Sequence, residues 1–175
     1  MDSDVVKLLL ALFLVVLNGF FVAAEFSIVK VRYSQIQIKA AEGNAMAKQA
    51  EHLIKHLDEY LSATQLGITL ASLALGWVGE SAMHHVIENT LHYFSIALVD
   101  STITTISLVI SFLLITIMHI VFGELIPKSI AIRKSEQTAM LIAMPLRLFY
   151  TVFKPFIWSM NQMSNGFLRL VKIHP

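Results

Sequence analysis

Hydrophobic and polar residues fall in long blocks along this chain rather than alternating one by one. Three blocks stay apolar over the roughly 20 residues that a helix needs to cross a hydrocarbon core. The first runs from about Leu8 to Val29, interrupted by Asn18, Gly19, Glu25 and Ser27. The second, about Tyr60 to Val78, is rich in small and hydroxyl residues, and the third runs from about Ser101 to Ile126. A fourth apolar region, Met140 to Leu170, is broken by Pro145, Arg147, Lys154, Pro155 and Arg169. That pattern predicts kinked helices within a juxtamembrane region of about 135–172, lying at the interface or beneath the spans, with a fourth crossing as the alternative. Between the first two spans, Tyr33 to Glu59 predicts two short helices broken at Gly43-Asn44. Ala50, Leu53, Leu57 and Leu61 recur there at spacings of three and four, which makes the second of them amphipathic. The connection from Gly79 to Asp100 reads as an outer loop.

Composition agrees with a membrane protein. Of 175 residues 56% are hydrophobic and 14% charged, against about 25% charged in a soluble domain. A net charge of +1 argues against a nucleic-acid-binding module, and high hydrophobicity argues against disorder. With no cysteine, disulfides, thiolate zinc sites and cysteine nucleophiles are excluded. A cleaved signal peptide does not fit the N-terminus, where Asp2 and Asp4 precede a lone Lys7 and the apolar run is too long.

The basic residues set an orientation. Lys30, Arg32, Lys39, Lys48 and Lys55 fall in the first connection, and Lys128, Arg133, Lys134, Arg147, Lys154, Arg169 and Lys172 follow the third span. Gly79 to Asp100 carries no Lys or Arg. The positive-inside rule therefore places the N-terminus outside and the C-terminus in the cytoplasm. The expected fold is an all-α membrane domain of three transmembrane helices with amphipathic juxtamembrane helices, the whole of 1–175 forming one transmembrane domain. His84, His85 and His92 in the outer connection are a weak metal-ligand signal, being partly adjacent on a loop.

Ionisable groups at membrane depth are costly and mark function. Glu25, Glu124 and His119 are the candidates. The strongest local signal is Val121-Phe122-Gly123-Glu124-Leu125-Ile126-Pro127-Lys128. Pro127 has no N–H for the carbonyl four residues back, which belongs to Gly123, so a backbone oxygen is freed beside a carboxylate. Oxygen ligation suits a hard cation such as Mg²⁺ or Na⁺. The plainer alternative is a helix end, with Pro127 as terminator and Glu124 reaching for water. In the first span Asn18 and Glu25 lie two turns apart on one face, and Gly19 beside Asn18 permits close packing or a local break. In the second, Thr64, Gly67, Ala71 and Ala74, flanked by Thr69, Ser72 and Gly76, form small-residue stripes of the kind that pack helices tightly. Ser72, mid-span, is placed to face Glu124 and the opened turn of the third helix. No Gly-x-Ser-x-Gly, P-loop or His-Glu-x-x-His motif competes, so an enzyme is not expected.

At these residues the chain resembles the CNNM/CorC (cyclin M) family. Asn18-Gly19-Phe20-Phe21-Val22-Ala23-Ala24-Glu25-Phe26-Ser27 resembles its first-helix signature. Gln65-Leu66-Gly67-Ile68-Thr69-Leu70-Ala71-Ser72 is similar to its second-helix motif, and Phe122-Gly123-Glu124-Leu125-Ile126-Pro127-Lys128 to its third. The resemblance implies a homodimer in the cell membrane that exports Mg²⁺, coupled to Na⁺ influx, from a dehydrated site facing the cytoplasm. It implies an ion site drawn from Val22, Glu25, Ser27, Ser72, Gly123 and Glu124, with Asn18, Gly19 and Pro127 as structural or gating positions. Many relatives carry serine at Val22 and asparagine at Ser72, which shifts more of the ligation onto backbone carbonyls. It also implies cytosolic CBS-type domains outside this stretch. Partners are then lipid, a second copy and the two ions, with no nucleic acid. The rival expectation is a non-transporting Mg²⁺-binding scaffold or regulator.

Overall fold

The computed structural model describes residues 2–93 and 100–170, and among these every regular element is helical. In order they are α1 (Asp2–Lys30), α2 (Tyr33–Ala41), α3 (Ala45–Lys55), α4 (Leu57–Tyr93), α5 (Asp100–Met118), a π-helical segment (His119–Leu125), α6 (Ile126–Arg133) and α7 (Ser135–Leu170). Four stretches are long and apolar enough to cross a membrane: Val5–Lys30, Leu57–Gly79, Thr102–Arg133 and Ser135–Leu168. Large apolar side chains cover their outsides, among them Phe13, Val16, Leu73, Trp77, Phe112 and Leu113. So much exposed hydrocarbon is stable only against lipid, and the chain is a multi-pass membrane protein.

Three elements differ from the sequence expectation. The connection after Gly79 is no loop there: α4 runs on to Tyr93. That places His84 on a helix, while the side chains of His85 and His92 lie outside the described residues. Pro127 does not end the third span, because the helical path passes through it from the π segment into α6. Pro145 and Pro155 stand inside one helix, α7, rather than dividing the region into pieces. A proline removes one ladder bond, and the rest of a 36-residue helix outweighs two such losses.

The chain divides into two compact units. Residues 1–20 and 68–128 form the first. Its core joins Ala11, Leu14 and Val15 of α1 to Leu75 of α4 and Ile115 of α5, with Leu17, Ala74, Val78 and Met83 alongside. Gly79 keeps α4 close to α5, since a methyl there would stand 3.3 Å from the Ile115 side chain. Ser107 and Ser111 of α5 are fully buried, as small polar residues are where helices approach closely.

Residues 21–67 and 129–175 form the second unit. Its hinge of α2 and α3 is built as the sequence predicts. Gly43 takes φ +94°, which a side chain resists. Its N–H bonds the Ala40 carbonyl at 3.1 Å and the Asn44 N–H bonds that of Lys39 at 3.1 Å, a Schellman stop that satisfies the last carbonyls of α2. Asn44 then caps α3, its Oδ1 accepting from the Ala47 N–H at 3.1 Å. Ala47, Ala50 and Leu53 are buried along α3, and Ala139, Ile142, Ala143 and Leu146 along α7. Polar bonds tie α7 to its neighbours: Lys39 pairs with Glu136, Arg147 donates to Gln49 at 2.6 Å, Tyr150 donates to Glu59, and Ser62 donates to Asn161 at 2.9 Å. Phe21 lies against Gly67, where any Cβ would come within 2.5 Å of its ring, and meets Phe149 edge-on with centroids 4.7 Å apart.

Asn44→Ala should lower stability by about 1 kcal/mol, the usual worth of an N-cap. It will be read as a fall in the unfolding midpoint of the detergent-solubilised protein. Asn44→Asp, which keeps an accepting oxygen, should leave that midpoint nearly unchanged.

Candidate ion-binding site

The site-bearing residues of the first unit meet at the π segment. Within it the ladder is widened: the Ile126 N–H bonds the Val121 carbonyl, five residues back. Such segments are rare and recur at functional positions. The physical cause is legible, because in α register the Gly123 carbonyl would point to Pro127, which has no N–H. That oxygen instead accepts the Asn18 Nδ2 at 3.0 Å. Asn18 is completely buried, and its Oδ1 accepts from the Ser72 hydroxyl at 3.1 Å. Ser72 Oγ also stands 3.4 Å from His119 Nε2, and the same nitrogen lies 3.8 Å from Glu124 Oε1. The last distance is too long for a hydrogen bond. It still leaves the carboxylate and imidazole as neighbours, with the Glu124 side chain 48% exposed.

Two glycines make this approach feasible. A Cβ on Gly19 would stand 2.8 Å from Pro127 Cγ and 3.2 Å from the Phe122 carbonyl oxygen. A Cβ on Gly123 would stand 2.8 Å from the His119 ring and 3.2 Å from Asn18 Nδ2. The hydrogen-bond chain therefore needs both positions bare. Beside it a cleft of about 270 Å³ is lined by Ser72, Leu75, Gly76, Phe112, Ile115, Thr116 and His119. Its polar lining is concentrated at Ser72, Thr116 and His119, and the remainder is hydrocarbon.

Of the residues anticipated for the site, Asn18, Gly19, Ser72, Gly123, Glu124 and Pro127 thus gather within the first unit. Asn18 proves to be the joint of the network rather than only a gating position. Ser72 faces Asn18 and His119 rather than Glu124 directly. Val22, Glu25 and Ser27 belong to the second unit: Val22 is buried, Glu25 partly so, and the buried Ser27 hydroxyl donates to the Ala24 carbonyl of its own helix at 3.1 Å. His119 was visible as an ionisable residue in the span but was not assigned to the site. Its signal is the five-residue spacing to Glu124, which an α-helix spreads to different faces and an i→i+5 segment draws together. Among the described residues no group of three or more His, Cys, Asp or Glu side chains could hold a metal ion. The donors on offer are an amide, a hydroxyl, a peptide carbonyl and one carboxylate.

Residues 9–175 match the family described as the cyclin M transmembrane N-terminal domain. The chain belongs to the cyclin M (CNNM) family. Among the proteins it is similar to, the UPF0053 protein YhdT of Bacillus subtilis is 49% identical over 161 residues, covering 91% of this chain and 34% of the relative. The UPF0053 protein YrkA of the same organism is 42% identical over 170 residues, covering 97% and 39%. The polyamine export protein of Haemophilus influenzae is 29% identical over 175 residues, covering 99% and 40%. The chain thus spans between about a third and two-fifths of the length of these relatives.

Gly19→Ala should cost about 1–3 kcal/mol, the usual penalty for forcing atoms into a filled contact. Gly76→Ala provides the control, since nothing lies within 4 Å of its added methyl. Thermal unfolding in detergent should therefore show a clear drop for the first variant and none for the second.

Proposed function

We propose that this cyclin M domain carries Mg²⁺ across the cell membrane through the oxygen cluster at its π segment. The observation behind this reading is the buried Asn18 amide, which holds the Ser72 hydroxyl and the Gly123 carbonyl together, with the Glu124 carboxylate next in the chain and neighbouring His119. Mg²⁺ is a hard ion that favours such oxygens and loses water reluctantly. A site that strips its hydration must therefore be pre-organised, and a network anchored on three helical segments supplies that. The Gly123 carbonyl keeps a second lone pair for the ion while it accepts the Asn18 N–H. Glu124 supplies the compensating charge, and the His119 imidazole stands beside it.

The family resemblance adds a homodimer, Na⁺ coupling, export from the cytoplasm and cytosolic regulatory domains to this proposal. The polar bonds from α7 to Gln49, Glu59 and Ser62 favour α7 as an interfacial helix, which leaves three crossings with the N-terminus outside. The Glu124→Gln variant keeps size and removes charge. Reconstituted in liposomes, it should lose Mg²⁺ flux by at least about tenfold, as loss of a metal's supporting groups commonly does. Flux equal to the parent's would refute the site. Thermal stabilisation by Mg²⁺ with no flux in the parent would instead favour the non-transporting scaffold.

A second reading is an organic polycation as cargo, as the name of the Haemophilus influenzae relative states for that protein. It is favoured by the cleft beside the network, where Leu75, Phe112 and Ile115 line a path for a methylene chain whose ammonium end meets the Ser72 and Thr116 hydroxyls. Putrescine that competes with Mg²⁺ for flux would support it, and indifference to putrescine would remove it.

A further inference from the structure

The second unit holds a concave, cationic pocket unconnected with the transport proposal. It has a volume of about 470 Å³ and is lined by Gln35 and Lys39 of α2, Arg133 at the end of α6, Lys134, and Ser135, Glu136 and Gln137 at the start of α7. Three cations face one acid. Glu136 pairs with Lys39, so Arg133 and Lys134 are the charges left over, and both are exposed. Among the described residues neither has an acidic partner. The first turn of α7 contributes backbone N–H groups that have no partner within the helix, which adds to the positive character of the lining.

A second feature of the same elements points to what the charges meet. Ile38, next to Lys39, is 60% exposed, and Ile130 and Ile132, just before Arg133, are 51% and 41% exposed. Leu141, further along α7, is 68% exposed. Cations in a concavity whose own elements also carry bare aliphatic side chains match an amphiphile whose anionic head enters the pocket and whose chains run along the outside. The residues concerned lie in connections that the charge asymmetry assigns to the cytoplasmic side, where the leaflet is anionic. Basic pockets at that level of a membrane protein hold phosphate-bearing headgroups.

We infer that the Lys39–Arg133–Lys134 pocket is a binding site for the phosphate of an anionic phospholipid, here taken as phosphatidylglycerol. Arg133 grips the phosphate through its planar fork, the geometry to which guanidinium is suited. Lys134 adds a second charge, and the Lys39–Glu136 pair forms the wall. The exposed isoleucines select a lipid over a soluble phosphate.

Native mass spectrometry of the detergent-purified protein, titrated with phosphatidylglycerol or phosphatidylcholine, tests this directly. The parent should retain phosphatidylglycerol preferentially, and Arg133→Gln with Lys134→Gln should reduce that preference at least fivefold, by about the loss of two charge-assisted contacts. Gln137→Glu, which adds an acid to the lining without removing a cation, should weaken it as well and serves if the double variant does not fold. Glycerol phosphate at millimolar concentration should fail to displace the lipid. Equal retention of the two lipids, or a preference that survives both variants, would overturn the site. Displacement by glycerol phosphate as effective as by lipid would overturn the lipid as occupant. Since no arm measures flux, failure here leaves the transport proposal standing, and the reverse also holds.

Discussion

A primary amide buried among membrane-spanning helices has no water to fall back on, and an unmet donor or acceptor there costs about 1–3 kcal/mol. Asn18 meets both demands on the protein itself, giving its N–H to the Gly123 carbonyl and taking the Ser72 O–H. Those two bonds tie α1, α4 and the π segment at one level. Everything near the candidate site follows from them. Gly19 must be bare so that α1 can reach the turn at Pro127, and Gly123 must be bare so that His119 and Asn18 fit around it. Pro127 must lack its N–H so that the Gly123 oxygen is available at all.

The broad fold was readable because membrane helices announce themselves by length and hydropathy alone. The Gly43-Asn44 break was readable for a different reason: its chemistry is local, a positive φ and a side-chain cap within a few residues. What misled was punctuation weighed without context. Pro145 and Pro155 look like breaks, yet each costs only one ladder bond, which a long packed helix absorbs, and the third span is bounded at Ile126 by sequence although a π segment carries the helix through Pro127. The helical extension of α4 to Tyr93 was missed because a polar stretch between two spans reads as a loop by default.

The site divides along the same line. Gly123, Glu124 and Pro127 were legible because the missing N–H and the freed carbonyl are four residues apart. Asn18 and Ser72 are 54 residues apart, and no periodicity within either helix says that they touch. Small-residue stripes told only that the helices approach closely, which is why Ser72 was aimed at Glu124 rather than at Asn18. His119 is a candidate by its place in the span, but its approach to Glu124 is hidden by the assumption of α geometry across a segment that departs from it. For Ser27 the hydroxyl turns back onto its own helix, a local competition that residue type alone leaves undecided.

The π segment also bears on chain length. A widened turn is an α-helix holding one residue more than its ladder requires, and each residue of an α-helix accounts for about 100° of rotation and 1.5 Å of rise. The wide turn absorbs that extra residue, so the helix on either side keeps its phase, and deleting one residue between His119 and Leu125 would let the ladder close with Ser107 and Ser111 still buried and Phe112 and Leu113 still facing outward. What such a gap removes is the widened turn itself, and with it the approach of His119 to Glu124.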